Sequence, residues 1–197
     1  MKRFVIVLTA LALLATGCQK GQKFTVQGTV KETGFKDATS VKIEYELMEK
    51  ALEAPVADEA FLIKGRVQKP VIAKLSAVGG EKRMERYFIL EKGDITFERG
   101  MACGTPLNDS TMAFTHRVAD IAQKFKGQRD LQVLNIKKEF TAFVSRHPDD
   151  PCAIYAAKFG HNKLDKDFLL DLIESTSKEI QHDGEMRALY KELILPF

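Results

Sequence analysis

The 197 residues contain no tryptophan and no two cysteines in Cys-X-X-Cys spacing, which excludes the paired-thiol motif used in thioredoxin-type exchange. The three cysteines, Cys18, Cys103 and Cys152, are too dispersed for a structural zinc set, which wants paired ligands at short spacing. His116, His147, His161 and His182 lie far apart, so each reads as a surface or cap residue, and neither a metal nor a cofactor is expected. Glycines fall singly or as Gly79-Gly80, without the Gly-rich spacing that cradles a phosphate. Charge of one sign is also lacking. Setting aside Lys2 and Arg3 leaves 28 basic against 27 acidic residues, no electrostatic footprint for nucleic acid. No apolar run reaches the roughly 20 residues that a membrane-spanning helix needs.

What is present describes a globular chain, 45% hydrophobic and 29% charged, with room for one compact unit of two halves. Its amino terminus has a charged Lys2-Arg3 followed by an apolar Phe4 to Ala15, the organisation of a secretory leader. The leader stops at Leu14-Ala15-Thr16-Gly17-Cys18, which resembles the lipobox of bacterial lipoproteins, with Ala15 where Leu is commoner. That resemblance implies cleavage after Gly17, lipidation of Cys18 and anchoring to a membrane by several acyl chains, enough for stable attachment. The competing reading is a plain exported protein in which Cys18 is a spare thiol. Gln19 after the cysteine, in place of Asp, implies the outer membrane. The short tether lacks an acidic run, which favours the periplasmic side.

The hydrophobic period changes from two to about 3.6 within Phe88 to Phe114, which divides the mature chain. Residues 1–17 read as signal peptide, 18–23 as tether, 24–103 as an antiparallel β half and 104–197 as a helical half packed on it. The expected class is α+β with a sandwich-like sheet portion. Strands are predicted at Phe24 to Val30, bending at Gly28, at Val41 to Leu47, Ala60 to Val67 and Val71 to Val78. A hairpin of Arg86 to Leu90 with Ile95 to Arg99 is predicted around Glu91 to Asp94. Helices are predicted from about Asp109 to Lys126, with Asn108 or Asp109 as cap and Gly127 as terminator, and from Asp130 to His147. A third starts with Asp150 as cap and Pro151 at its first position and ends before Gly160. A fourth is expected from Asp165 to His182. Gly184 separates it from a last helix that Pro196 ends.

Five segments in order, FTVQGTV at Phe24, FLIKGRVQKP at Phe61, YFILEKGDITFE at Tyr87, GTPLNDSTMAF at Gly104 and the Phe-rich helix ending in Arg146-His147-Pro148-Asp149, resemble the family called domain of unknown function 4369. In many relatives that module precedes a thioredoxin-like domain with a Trp-Cys-X-X-Cys motif, which this sequence lacks. The resemblance therefore implies a non-catalytic binding or scaffold module in the envelope, holding an envelope protein partner such as a separate thioredoxin-like protein, or a small ligand. The alternative is an accessory thiol redox protein working through Cys103 and Cys152.

Lipidation of Cys18 would leave Cys103 and Cys152 as a pair, and an oxidising compartment would permit a bridge. Closing a loop of about 50 residues would stabilise by about 4 kcal/mol in the chain-entropy model. Two buried, inert thiols are the competing expectation. Asp149 and Asp150 resemble a carboxylate pair, but a loop followed by a helix cap accounts for both. Arg83 and Arg86 beside Tyr87 raise an anion patch as an alternative; a charged, solvated hairpin edge fits them better.

Overall fold

The computed structural model describes residues 21–46, 48, 50–79 and 84–195. The leader, Cys18 and the start of the tether lie outside the described residues, as do Leu47, Gly80, Arg83 and Pro196.

The chain is α+β. It runs β1 (Gln22–Thr29), α1 (Val30–Thr33), β2 (Ser40–Glu44), β3 (Leu52–Pro55), β4 (Ala60–Val67), β5 (Val71–Val78), β6 (Glu85–Leu90), β7 (Gly93–Glu98) and β8 (Met101–Cys103). Among the described residues six helices follow: α2 (Pro106–Lys124), α3 (Arg129–Arg146), α4 (Pro151–Gly160), α5 (Lys166–Glu174), α6 (Lys178–Gln181) and α7 (Gly184–Ile194). Among the described residues no helix is long and apolar enough to cross a membrane.

Among the described residues two four-stranded sheets form, ordered β4-β1-β7-β8 and β3-β2-β5-β6. Strand alternation sets the layers. Phe24, Val26, Phe61 and Ile63 of the first sheet meet Val41, Ile43, Leu75 and Phe88 of the second in one buried core. Ile72 and Ile89, on the opposite face of the second sheet, join a separate core with the helices. The helical core centres on Phe114, whose ring stacks on Phe143 at 4.2 Å and meets Phe140 edge-on at 4.9 Å.

Gly28 marks a close approach rather than a bulge, for the register between β1 and β4 is unbroken. Phe61 lies opposite Gly28, and Phe24 opposite Gly65, so each strand lends the other a ring where it has no side chain.

The predicted β6–β7 hairpin does not form. The two strands belong to different sheets, and β7 pairs in parallel with β1, Phe24 opposite Gly93, so the sheet portion is not wholly antiparallel. Two side chains account for the separation. Glu91, buried in the connection, accepts from the N–H groups of Leu107 and Asn108 at 2.9 and 3.2 Å, satisfying orphan donors at the start of α2. Asn108 then covers the edge of β6 that a hairpin partner would have taken. Arg86 is accordingly no solvated edge residue: its Nε donates to Thr33 O at 3.1 Å and its guanidinium lies over Phe35.

Pro106 opens α2 three residues before the predicted start, with Asn108 inside the helix. Gly127 takes the left-handed conformation foreseen for it. The single helix expected from Asp165 to His182 is broken into α5 and α6, because Ser175 and Thr176 turn their hydroxyls back onto the Leu172 and Ile173 carbonyls and Ser177 caps a new start. Gly184 is the first residue of α7, not a separator.

Candidate functional site

α4 is the axle of the helical half. Asp150 accepts from Cys152 N at 2.8 Å, Pro151 supplies a preset φ at the first position, and small Ala153, Ala156 and Ala157 let the helix bury itself between the second sheet and the other helices.

The amino-terminal end of α4 opens into a cleft of about 420 Å³ along the seam between sheet and helices. Its apolar floor comes from Tyr45 and Ile72 on the sheet side and Pro151, Ile154 and Ile180 on the helix side. Carboxylates rim it. Glu46, just past β2, accepts from Gly184 N at 2.7 Å and so ties the sheet to α7. Lys69 and Glu179 form an exposed ion pair across the same seam. Asp183 caps α7 by accepting from Glu185 N at 2.9 Å. Burial pushes the Asp183 carboxyl above its ordinary range, against the lowering effect of the Glu185 and Met186 N–H groups, while Glu46 and Glu185 push it further up. Asp149 is exposed at the rim and has no partner among the described residues.

Beside the cleft, His147, Asp150 and Cys152 come together, their ligating atoms all within 4.8 Å of one another. His147 Nδ1 lies 2.8 Å from Asp150 Oδ2, while Asp150 Oδ1 serves the helix cap. Bonds of metal-ligand length would set tetrahedral donors about 3.3 Å apart. The spacing of His147 and Asp150 is instead that of a hydrogen-bonded pair. Cys152 is fully buried; burial raises its thiol well above the ordinary range, with Asp150 and then Glu91 adding to the shift. That environment keeps the sulfur protonated and poorly nucleophilic.

Sequence reasoning identified Asp150 as a cap but missed the trio. The available signal was a histidine three residues before an Asp-Pro helix start. Cys103 and Cys152 are free thiols, turned to different partners: Cys103 Sγ lies 3.2 Å from Thr96 Oγ1 in the first sheet, and Cys152 Sγ 3.7 Å from Leu107 O beneath α2. His116 is exposed, His161 lies 3.5 Å from Glu192, and His182 bonds to Lys178 O. No known family model, characterised protein or solved structure matches the chain.

Proposed function

We propose that the chain is an outer-membrane lipoprotein, anchored through Cys18 and facing the periplasm, whose body is a non-catalytic binding or scaffold module. The observation carrying the binding role is the seam cleft. It has ligand-pocket size and an apolar floor, both halves of the fold contribute to it, and its rim holds more carboxylates than lysines. Those features suit a partner segment that offers an apolar side chain beside a basic one. A separate thioredoxin-like envelope protein is the partner the sequence resemblance suggests. An accessory redox role for Cys103 and Cys152 has weaker support, since such a role wants an accessible, low-pKa thiol and Cys152 is buried with its thiol raised.

The binding role is tested by placing a photo-crosslinking amino acid at Tyr45 and irradiating intact cells. One discrete envelope adduct is expected, lost on Asp149→Lys. Adducts that are absent, or indifferent to that change, would refute the cleft as a partner site. The anchor is tested separately by labelled palmitate, which should enter the wild type and not Cys18→Ala.

A further inference from the structure

The carboxyl-terminal end of α4 opens into a second groove, of about 380 Å³, whose character is opposite to that of the cleft. Arg86 and Arg99 enter it from the sheet portion, and Lys158 and Lys163 from α4 and the turn after it. Among the described residues one carboxylate, Glu85, lines it, already bridged to Lys74 at 3.4 Å. Lys158 is neutralised by Glu185 at 2.6 Å. The other three cations have no carboxylate partner among the described residues. Arg86 spends two donors on the neutral carbonyls of Thr33 and Glu85, and Lys163 donates to Phe159 O at 2.7 Å.

The two lysines also lie over aromatic rings. Lys163 Nζ sits 3.8 Å from the centre of the Phe159 ring, and Lys158 Nζ 4.4 Å from that of Tyr87. Arg99 occupies the two-residue turn between β7 and β8 with Gly100, both at positive φ, 51° and 83°. Asn, Asp or Gly is the usual occupant of such a position. An arginine there lines the groove at a backbone cost, and its side chain makes no ion pair among the described residues.

We propose that this groove binds a soluble ligand carrying two or more negative charges on phosphate groups. Three uncompensated cations exceed what one carboxylate would balance, and the forked guanidinium groups match phosphate oxygens. A soluble ligand is favoured over a lipid headgroup by the course of β1. Gln22 begins the strand beside the amino-terminal segment, whereas α1 and the Gly100 turn it contacts lie beyond its other end, roughly 25 Å away for eight extended residues. The groove thus lies at the end of β1 remote from Gln22, the end from which the chain leads back to Cys18.

The test is calorimetric titration of the purified protein with sodium pyrophosphate, for wild type, Arg99→Gly and Lys163→Met. Arg99→Gly is safe for the fold because glycine suits the turn better. Each substitution should weaken binding about tenfold or more, the loss expected for a bond to a charged group, and binding should fall steeply with added salt. Three results would overturn the proposal: no binding by the wild type, affinity unchanged in both variants, or binding confined to phosphatidylglycerol vesicles with none to pyrophosphate.

Discussion

The carboxamide of Asn108 pairs with both main-chain groups of Ile89, accepting from its N–H at 3.0 Å and donating to its carbonyl at 2.7 Å. A side chain from the first helix of the helical half thereby completes an edge strand of the sheet portion. Asn108 is fully buried, and its Nδ2 also reaches Thr105 Oγ1 at 2.8 Å. One residue thus ends the second sheet, fixes the start of α2 and keeps β6 and β7 in separate sheets.

Removing that carboxamide should be costly. Asn108→Ala leaves a buried N–H and a buried carbonyl unpaired, each worth about 1–3 kcal/mol, so a loss of about 2–6 kcal/mol is expected in urea unfolding. Asn108→Asp should be worse, because it turns an acceptor toward the Ile89 carbonyl and buries a charge beside Glu91. A loss below about 0.5 kcal/mol for Asn108→Ala would mean that the pairing contributes nothing net.

Gly65→Ala tests the ring-over-glycine packing of β1 on β4. A Cβ at this position would lie 2.5 Å from Phe24 Cζ, and Phe24 is buried, with Leu52 also closing in at 3.2 Å. Overpacking of this kind costs about 1–3 kcal/mol. Relief by a smaller neighbour is the sharper readout: Phe24→Leu should be less damaging in the Gly65→Ala background than alone. Strictly additive effects would show that the two positions do not compete for space.

The sheet was legible where its period was local. Val41 and Ile43, and the alternation of Ala60 to Val67, announce half-buried strands from the sequence alone. β3 escaped because Leu52–Pro55 is short and holds a proline, which is tolerated here at the edge of a sheet. Lys92-Gly93-Asp94 suggested a hairpin from nearby residues, whereas the outcome was decided by Asn108 and by parallel pairing with β1, neither of which leaves a local trace. The break before α6 was legible in Ser175-Thr176-Ser177 and was outweighed by the apolar stripe on either side. At the candidate cleft the cap at Asp150 was readable; Glu46, Lys69 and Asp183 were not, since only the tertiary fold brings the end of β2 to α7.

The two thiols should differ in reactivity. Cys152 is fully buried and raised by its surroundings, whereas Cys103 is half-exposed at the end of β8. Iodoacetamide should modify Cys103 in the native protein and reach Cys152 only when the helical core opens. In denaturant without reductant both should label. Protein taken straight from cells in which both label only after reduction would establish the bridge and overturn this expectation.

The Asp183 carboxyl gives the cleft a pH dependence whose sign follows from its surroundings. Burial is the largest cause of its raised pKa, Glu46 and Glu185 add to it, and the Glu185 and Met186 N–H groups oppose it. The native state therefore keeps this proton at a pH where the unfolded chain, titrating near 4, has already released it. In that window the native state binds more protons than the unfolded one, so stability falls as pH rises from about 4 through the folded-state pKa. Asp183→Asn keeps an oxygen to accept from Glu185 N and removes the titration. Urea unfolding across this range should show the variant gaining on the wild type as pH rises, with the difference levelling off once Asp183 is fully ionised in both states. A difference that is flat across the range, or that shifts toward the wild type with rising pH, would mean that the carboxyl is not raised in the folded protein.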